Sequence, residues 1–500
     1  MITNRRLNRL AGMSVMLIPL ALSACMVGPN YEKPATALAP FHNAVPASAT
    51  PAATAPLALD SWWTAFHDPM LATVVQRALD QNLDLAAAYA RVQQARAVAK
   101  GAGAQLLPTI DVGGSATANR ASLQTPITSL SSQVPGFRRN YEEYSVGPSA
   151  SWEIDLFGGL RRGARAASDE ESAAEADRVG TRITVVADAA DAYLQIRGYQ
   201  ARLAVALDQV ANDERLLKLV RDRYAAGSGN GQEIAEAEAL LRQARSSIPT
   251  LRIGLEVQLN RLDVLMGAQP GTYAQELSTV QSIPGIPAIP SDRQPTDMLR
   301  RRPDIIAAER RLAASNERIG AAISDYYPKI SLSGALGFDS ISASNLFTKG
   351  AFAATGGGLI RWRLFDFGKV DAEVKQARGA NAEALAVYRQ TVLHAAEDVE
   401  NALVTLSQTQ VRVSEVQAQV AALTKARDLA QQSYKAGSIP LTDVINADQQ
   451  LLVARDVLDS ERAGTARSAV AVFRAFGGGW SPPTRQAEAD VPTLMAKSGG

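Results

Sequence analysis

The sequence predicts a membrane protein of mixed α/β-barrel construction: a transmembrane β-barrel shared by more than one chain and continued by a long coiled-coil helical tunnel. Three observations carry that expectation. The chain repeats itself once, each repeat holds a proline-free helical stretch far longer than a globular core can use, and each repeat holds a hairpin of alternating residues.

Composition narrows the field first. The 500 residues are 46% hydrophobic and 20% charged, enough for a large folded body and too apolar for disorder. Lys and Arg total 51 against 50 Asp and Glu, so no basic excess is available to condense on phosphates, and nucleic acid is excluded as a partner. One cysteine and three histidines leave no disulfide framework and no Cys/His cluster spaced for a metal.

That cysteine ends an address. Arg5, Arg6 and Arg9 form a positive segment, and Leu10 to Leu22 is an apolar run too short to span a bilayer as a mature helix, which reads as a signal peptide over residues 1–24. Leu22-Ser23-Ala24-Cys25 resembles a bacterial lipobox, in which the cysteine thiol takes a diacylglyceryl group and becomes the mature N-terminus. Met26, rather than Asp, follows it, which in lipoproteins implies sorting to the outer membrane. Acyl chains hold a protein to a bilayer without spanning it. Residues 25–69 are expected to be an acylated linker, because Tyr31 to Leu57 is rich in Pro, Ala and Thr and has neither helical nor strand period.

Two copies of one unit follow, over residues 70–269 and 296–480, joined by a linker at 270–295 and closed by a tail at 481–500. Leu106-Leu107-Pro108-Thr109-Ile110 recurs as Tyr326-Tyr327-Pro328-Lys329-Ile330, 220 residues on. Trp152-Glu153-Ile154-Asp155-Leu156-Phe157-Gly158 recurs as Trp362-Arg363-Leu364-Phe365-Asp366-Phe367-Gly368, and Tyr224-Ala225-Ala226-Gly227 as Tyr434-Lys435-Ala436-Gly437, both at 210. The slip of ten residues places a longer loop in the first hairpin. Each copy reads as a helix (Met70 to Ala104; Thr296 to Asp325), a hairpin, a very long helix, a tight turn and a further helix. From Arg161 to Ala226 the long helix would reach ~100 Å at 1.5 Å per residue. Val186, Ala189, Tyr193, Ile196, Leu203, Leu207, Val210 and Leu217 keep a three-four spacing, interrupted by Gln200 and Glu214, which argues lateral coiled-coil packing.

The hairpins decide for a membrane. Ile330, Leu332, Leu336 and Phe338 share one alternating phase with Ser and Gly on the other, and Ile360, Trp362 and Leu364 alternate with Arg361 and Arg363. Apolar outside and polar or small inside is the pattern of a barrel strand, with Ile330, Leu332 and Trp362 the expected lipid-facing residues. Four strands are too few to enclose a lumen, and an open edge cannot sit in lipid, so several chains must share the barrel.

Here the sequence resembles the outer-membrane factor (TolC) family, in its NodT-type lipoprotein branch. The resemblance rests on Cys25-Met26-Val27-Gly28-Pro29-Asn30-Tyr31 and on Leu299-Arg300-Arg301-Arg302-Pro303-Asp304-Ile305 with Ala308-Glu309, Ile319-Gly320-Ala321-Ala322 and Tyr327-Pro328. It extends in family order from Cys25 to about Trp480. It implies a homotrimer with a twelve-stranded barrel, a twelve-helix periplasmic tunnel and a mixed equatorial belt. It also implies a passive efflux duct that docks on a periplasmic adaptor and an inner-membrane transporter. No cofactor is expected beyond the covalent lipid on Cys25. At the turns near Gly227 and Gly437 the resemblance implies a periplasmic gate. Tyr434 and Asp443 match the family's gate tyrosine and first gate aspartate, and Glu233 takes the acidic position on the first turn, where it is expected to accept a hydrogen bond from Tyr434. Ile439 replaces a basic latch residue and Asn446 the second aspartate, so an acidic ring is expected to weaken or shift to Asp448.

Other motifs lead nowhere. Asp366-Phe367-Gly368 spells a kinase triplet without the accompanying loops. Gly227, Gly229 and Gly231 lack the preceding strand of a dinucleotide site. His394 and Glu397 lack a third metal ligand. No enzyme site can be assembled from these residues. Protein secretion through the same duct, and a periplasmic coiled-coil scaffold, remain as alternative functions.

Overall fold

The structure, a computed structural model, describes residues 26–35, 40–43, 58–289 and 299–481. Cys25, the expected signal peptide, much of the expected linker, Thr296 and nearly all of the tail lie outside the described residues. The chain divides into two compact units, one made of residues up to Pro34, Gln93–Ala173 and Glu309–Val387, the other of Ala35–Val92, Ala174–Ala308 and Tyr388 onward.

The elements recur in the same order in the two copies. The first copy comprises α1 (Pro69–Gln81), α2 (Leu83–Ala104), β1 (Thr109–Arg120), β2 (Asn140–Ile154), α3 (Gly159–Ala225) and α4 (Gly231–Leu265); the second comprises α5 (Pro303–Ser324), β3 (Lys329–Ser340), β4 (Phe352–Arg361), α6 (Lys369–Lys435) and α7 (Leu441–Ala475). Helices α2 and α5 are both 22 residues long, α3 and α6 both 67, and α4 and α7 both 35. Both long helices end on a left-handed glycine, Gly227 at φ 72° and Gly437 at φ 76°, a conformation only glycine adopts without strain. Paired backbone bonds close each turn: Gly227 N–H donates to Tyr224 O and Ser228 N–H to Arg223 O, as Gly437 does to Tyr434 O and Ser438 to Ser433 O.

Four expected boundaries need correction. The single helix Met70–Ala104 is broken at Asn82, whose buried side chain accepts from Leu85 N at 3.0 Å and donates to Leu265 O at 2.9 Å, capping α2 where α1 ends. The expected helix Thr296–Asp325 is likewise interrupted before Pro303, where α5 begins. The linker does not run to residue 69: Leu59–Phe66 is a short 3-10 helix whose Trp62 is buried and stacks on Phe473 at 5.1 Å. Nor is 270–295 free along its length, since Ala274–Leu277 forms a helical turn with Leu277 buried and Thr279 O accepting from Arg197 at 2.7 Å.

In the first unit the four strands form one antiparallel sheet in the order β1-β2-β3-β4. The registers place all even-numbered residues on one face. Ile154, Ile330 and Ile360 form one row, and Val146, Phe338 and Phe352 another. That apolar face is largely uncovered: Val112, Leu332, Leu336 and Ile360 are all exposed. The opposite face carries Asp111, Ser149, Ser333 and Thr355, with Ser115 and Ser145 hydroxyls 2.8 Å apart. Strand β4 ends at Arg361, so Trp362 and Leu364 lie beyond the strand in which they were expected. Trp362 Nε1 instead donates to Tyr326 O at 3.0 Å, as Trp152 Nε1 does to Leu106 O at 3.0 Å.

The same unit docks the N-terminal segment. Val27 N–H donates to Phe157 O at 3.1 Å, and Gly28 packs so closely on Gly320 that a β-carbon there would lie 2.5 Å from the Gly320 Cα. The fully buried Arg162 ties it down, donating to Glu317 at 2.9 Å, Gly28 O at 3.2 Å and Asn30 Oδ1 at 3.1 Å. Tyr31 Oη donates to Glu309 at 2.9 Å.

In the second unit the helical seam differs from expectation below Leu203. Leu207 is 46% exposed, while Ala206, Gln209, Asp213, Leu216 and Val220 are buried at a regular three-four spacing, so the stripe has rotated by one position. Gln200, an apparent interruption, is buried and satisfied, donating to Leu277 O at 2.7 Å and accepting from Arg197 at 2.7 Å.

Candidate functional site: the helix-turn end

Four helices meet beside the two tight turns. Leu216, Leu217 and Val220 of α3, Leu240 and Leu241 of α4, Tyr434 of α6 and Leu441, Val444 and Ile445 of α7 form one buried apolar cluster. Tyr434 is held by a residue the sequence reading missed. Arg223 lies with its guanidinium 4.5 Å from the Tyr434 ring centre and donates to Tyr434 O at 2.9 Å, joining the first helical hairpin to the second. The signal was present, for Arg223 closes the last turn of α3, where a cation suits the exposed carbonyls.

The expected hydrogen bond from Tyr434 to Glu233 is not made in this structure. Both the Tyr434 hydroxyl and Glu233 Oε2 are buried without a hydrogen-bond partner. They are close enough to feel one another: burial first, and then the Glu233 charge, raise the Tyr434 hydroxyl above its ordinary pKa, against an opposing pull from Arg223. The Glu233 backbone is fixed by Asn230 Oδ1, which accepts from Glu233 N at 2.9 Å at the start of α4. Asp443 is exposed in the first turn of α7, and Asn446 is exposed one turn later.

Asp448 corrects a second expectation. It is only 2% exposed and turned into the helix packing, so it cannot contribute to an open acidic ring in this conformation. Arg427 Nη1 lies 3.6 Å from its Oδ1, and Gln431 hydrogen-bonds it. Burial raises its pKa, with Arg427 pulling the other way. Its charge reaches Asp213 on α3, itself 1% exposed and accepting from Gln209 Nε2 at 2.7 Å. Burial chiefly, reinforced by Asp448, pushes the Asp213 carboxyl up to about 6. Asp213 lies on the buried stripe of α3, one position before Glu214, where the expected stripe was interrupted. Elsewhere, His394 Nδ1 lies 3.1 Å from Glu397 Oε2 on an exposed helix face, and among the described residues no three metal-binding side chains converge.

Comparison with known proteins places this arrangement. The model of the outer membrane efflux protein family matches residues 74–268 and 295–478, one stretch for each repeat. The chain belongs to the outer membrane efflux protein family. It is an efflux channel component of the outer membrane. It is 30% identical over 421 residues to the pyoverdine export outer membrane protein OpmQ of Pseudomonas aeruginosa, covering 84% of this chain and 87% of that one. It is 29% identical over 471 residues to Nodulation protein T of Rhizobium leguminosarum bv. trifolii, covering 93% and 96%. The solved outer-membrane channel OprN is similar at a TM-score of 0.83 and 33% identity, over 92% of this chain and 100% of that one.

The buried acid gives a signed pH dependence. The folded-state pKa of Asp213, about 6, lies above the ordinary carboxylate value of 3.8. The folded protein therefore holds this proton more tightly, and stability falls as pH rises from about 4 through about 6, then levels. Asp213→Asn is expected to flatten that slope and to raise thermal stability at pH 7.5 while leaving it little changed at pH 4, read by circular dichroism melts at the two pH values.

Proposed function

We propose that three copies of this chain close one twelve-stranded barrel and a tunnel of long helices, forming an exit duct for small toxic molecules. An inner-membrane transporter and a periplasmic adaptor would deliver the cargo. The observation that carries this reading is the four-stranded sheet with an exposed apolar face, a polar face behind it and two outer edges without ladder partners. A chain spanning lipid must pair such edges, and repetition of the sheet around an axis pairs them all. Among the described residues no helix is long and apolar enough to cross a membrane. Ile330 and Leu332 would face lipid, and Trp362, with its indole bonded at the strand's end, would lie at the interface. Leu332→Arg should then impair insertion, since a cation facing lipid costs ~2–4 kcal/mol at the midplane and recurs in every copy. Normal conductance of Leu332→Arg oligomers in planar bilayers would contradict the facing.

The helix-turn end would be the gate. Tyr434, Glu233, Asp443 and Asn446 lie at or beside the turns, and Arg223 is the latch that ties the two hairpins together. Because the Tyr434 hydroxyl has no partner, Tyr434→Phe should change little. Arg223→Ala removes the cross-hairpin bond and should raise single-channel conductance and sensitise cells to vancomycin; equal effects of the two substitutions would count against Arg223 as the latch.

Cys25 would carry the lipid. The docking of Val27 and Gly28 beside Phe157 and Gly320 supports this, since it holds the mature terminus against the helices that adjoin the sheet. Cys25→Ala should abolish incorporation of radiolabelled palmitate, and labelling that persists would refute the acylation.

A further inference from the structure

Two acids sit inside the helix packing with one cation between them. Asp213 of α3 and Asp448 of α7 are 1% and 2% exposed, and Asp213 Oδ2 and Asp448 Oδ1 are both buried without a hydrogen-bond partner. Arg202 holds the two helices side by side, gripping Asp456 at 2.7 and 2.9 Å, as does the apolar cluster that joins Leu216, Leu217 and Val220 to Leu441, Val444 and Ile445. The acids lie between these two contacts, Asp213 after Arg202 and before Leu216, Asp448 after Ile445 and before Asp456. From α6, Arg427 reaches Asp448 Oδ1 at 3.6 Å and is shared with the half-exposed Asp428, 2.8 Å from its Nε. Arg455 of α7 gives Asp448 a weaker pull. On α3 the adjoining Glu214 turns instead to Arg245 of α4, 2.5 Å away on an exposed face. Asp213 accepts an amide from Gln209 Nε2 at 2.7 Å, and among the described residues no cation pairs with it. Two buried carboxylates thus depend on one guanidinium, and a buried charge without its counter-charge is costly enough that the group neutralises instead. The second repeat shows that packing does not require an acid here: 210 residues on, the place of Asp213 is taken by Leu423.

We propose that Asp213 and Asp448 share one proton in the closed duct, Asp213 Oδ2–H donating to Asp448 Oδ1, and that loss of this proton releases α3 from α7 and opens the helix-turn end. This role depends on the helix-turn end being the gate proposed above. One proton removes the excess negative charge and gives both orphaned oxygens a partner at once. Without it two carboxylate charges face each other across a buried seam, and separation of the helices, which admits water, relieves them. Burial and the Asp448 charge raise the Asp213 carboxyl to about 6, against an ordinary 3.8 once water reaches it, so the closed form holds the proton more tightly. Acid therefore favours the closed form, and the advantage is lost as pH rises through about 6. Between pH 5 and pH 7.5 the closed-to-open ratio should fall about tenfold per copy.

Infrared difference spectra and single-channel recordings of the full-length protein test the proton and its effect separately. In the reconstituted protein the carbonyl stretch of a protonated carboxylic acid should weaken as the pH rises from 5 to 7.5, and Asp213→Asn should remove that change. In planar bilayers the wild-type open-to-closed ratio should rise about tenfold per copy over the same interval. Asp213→Asn and Asp213→Leu, the latter carrying the side chain found in the second repeat, should stay closed at both pH values. Asp448→Asn should move the wild-type midpoint to lower pH, because the charge that holds the proton on Asp213 is gone. An infrared change that is the same with and without Asp213, or a pH response of conductance that persists in Asp213→Asn, would overturn the shared proton. Arg223→Ala, recorded alongside, separates the brace from the gate. If it raises conductance while Asp213→Asn behaves as wild type, the brace fails and the gate stands; if neither substitution changes conductance, the gate fails with it.

Discussion

Backbone hydrogen bonds that one chain leaves unmade at the two edges of its sheet are the constraint on which the other features depend. Water can satisfy an edge strand in a soluble protein, but hydrocarbon cannot, and an unpaired group there costs several kcal/mol. A four-stranded sheet with one apolar face therefore has no stable membrane form by itself. In the proposed shared barrel, the outer strands of neighbouring copies would satisfy those groups.

Satisfaction of polar groups is distributed unevenly over the molecule. At the N-terminal dock, Arg162 spends its two terminal nitrogens on Glu317, Gly28 and Asn30, a buried charge with its counter-charge and carbonyl in place. Severing such a pair typically costs ~3–5 kcal/mol, so this end is fixed. Towards the helix turns, Asp213 Oδ2, Glu233 Oε2, the Tyr434 hydroxyl and Asp448 Oδ1 are buried without hydrogen-bond partners. Each leaves part of its desolvation cost uncompensated, on the order of 1–3 kcal/mol. Arg162 Nε at the dock lacks a partner as well, but more such atoms gather at the end proposed to open.

Much of this was legible in the sequence because it depends on period and punctuation. The repeat, the long helices, the turn glycines and the alternation of Ile330, Leu332, Leu336 and Phe338 all follow from local rules that tertiary contacts did not override. What escaped depended on distant partners. The break at Asn82 needs Leu265 O, which no local pattern reveals, and the 3-10 helix around Trp62 is set by stacking on Phe473. The seam past Leu203 was misplaced because a stripe was traced through leucines, when Gln209 and Asp213 occupy the buried positions. Arg223 was overlooked because a terminal basic residue reads as a helix-dipole partner until the second hairpin is seen beside it. The motif that carried the family resemblance also acquired a physical meaning: Glu309 receives Tyr31, and Gly320 makes room for Gly28.

The matched lengths of α3 and α6, 67 residues each, restrict how such a chain can change over generations. Inserting or deleting one residue in either helix would turn everything beyond it by about 100° and shift it by ~1.5 Å relative to its twin. Every seam contact below that point would be lost at once, so length changes can accumulate only where no twin keeps count. The connection from β1 to β2 is such a place. Residues 121–139 there form a longer crossing than residues 341–351 between β3 and β4, and most of the ten-residue difference between the repeats has collected in it. Among relatives, variation in length should gather at these crossings, while the helices diverge in composition and keep their measure.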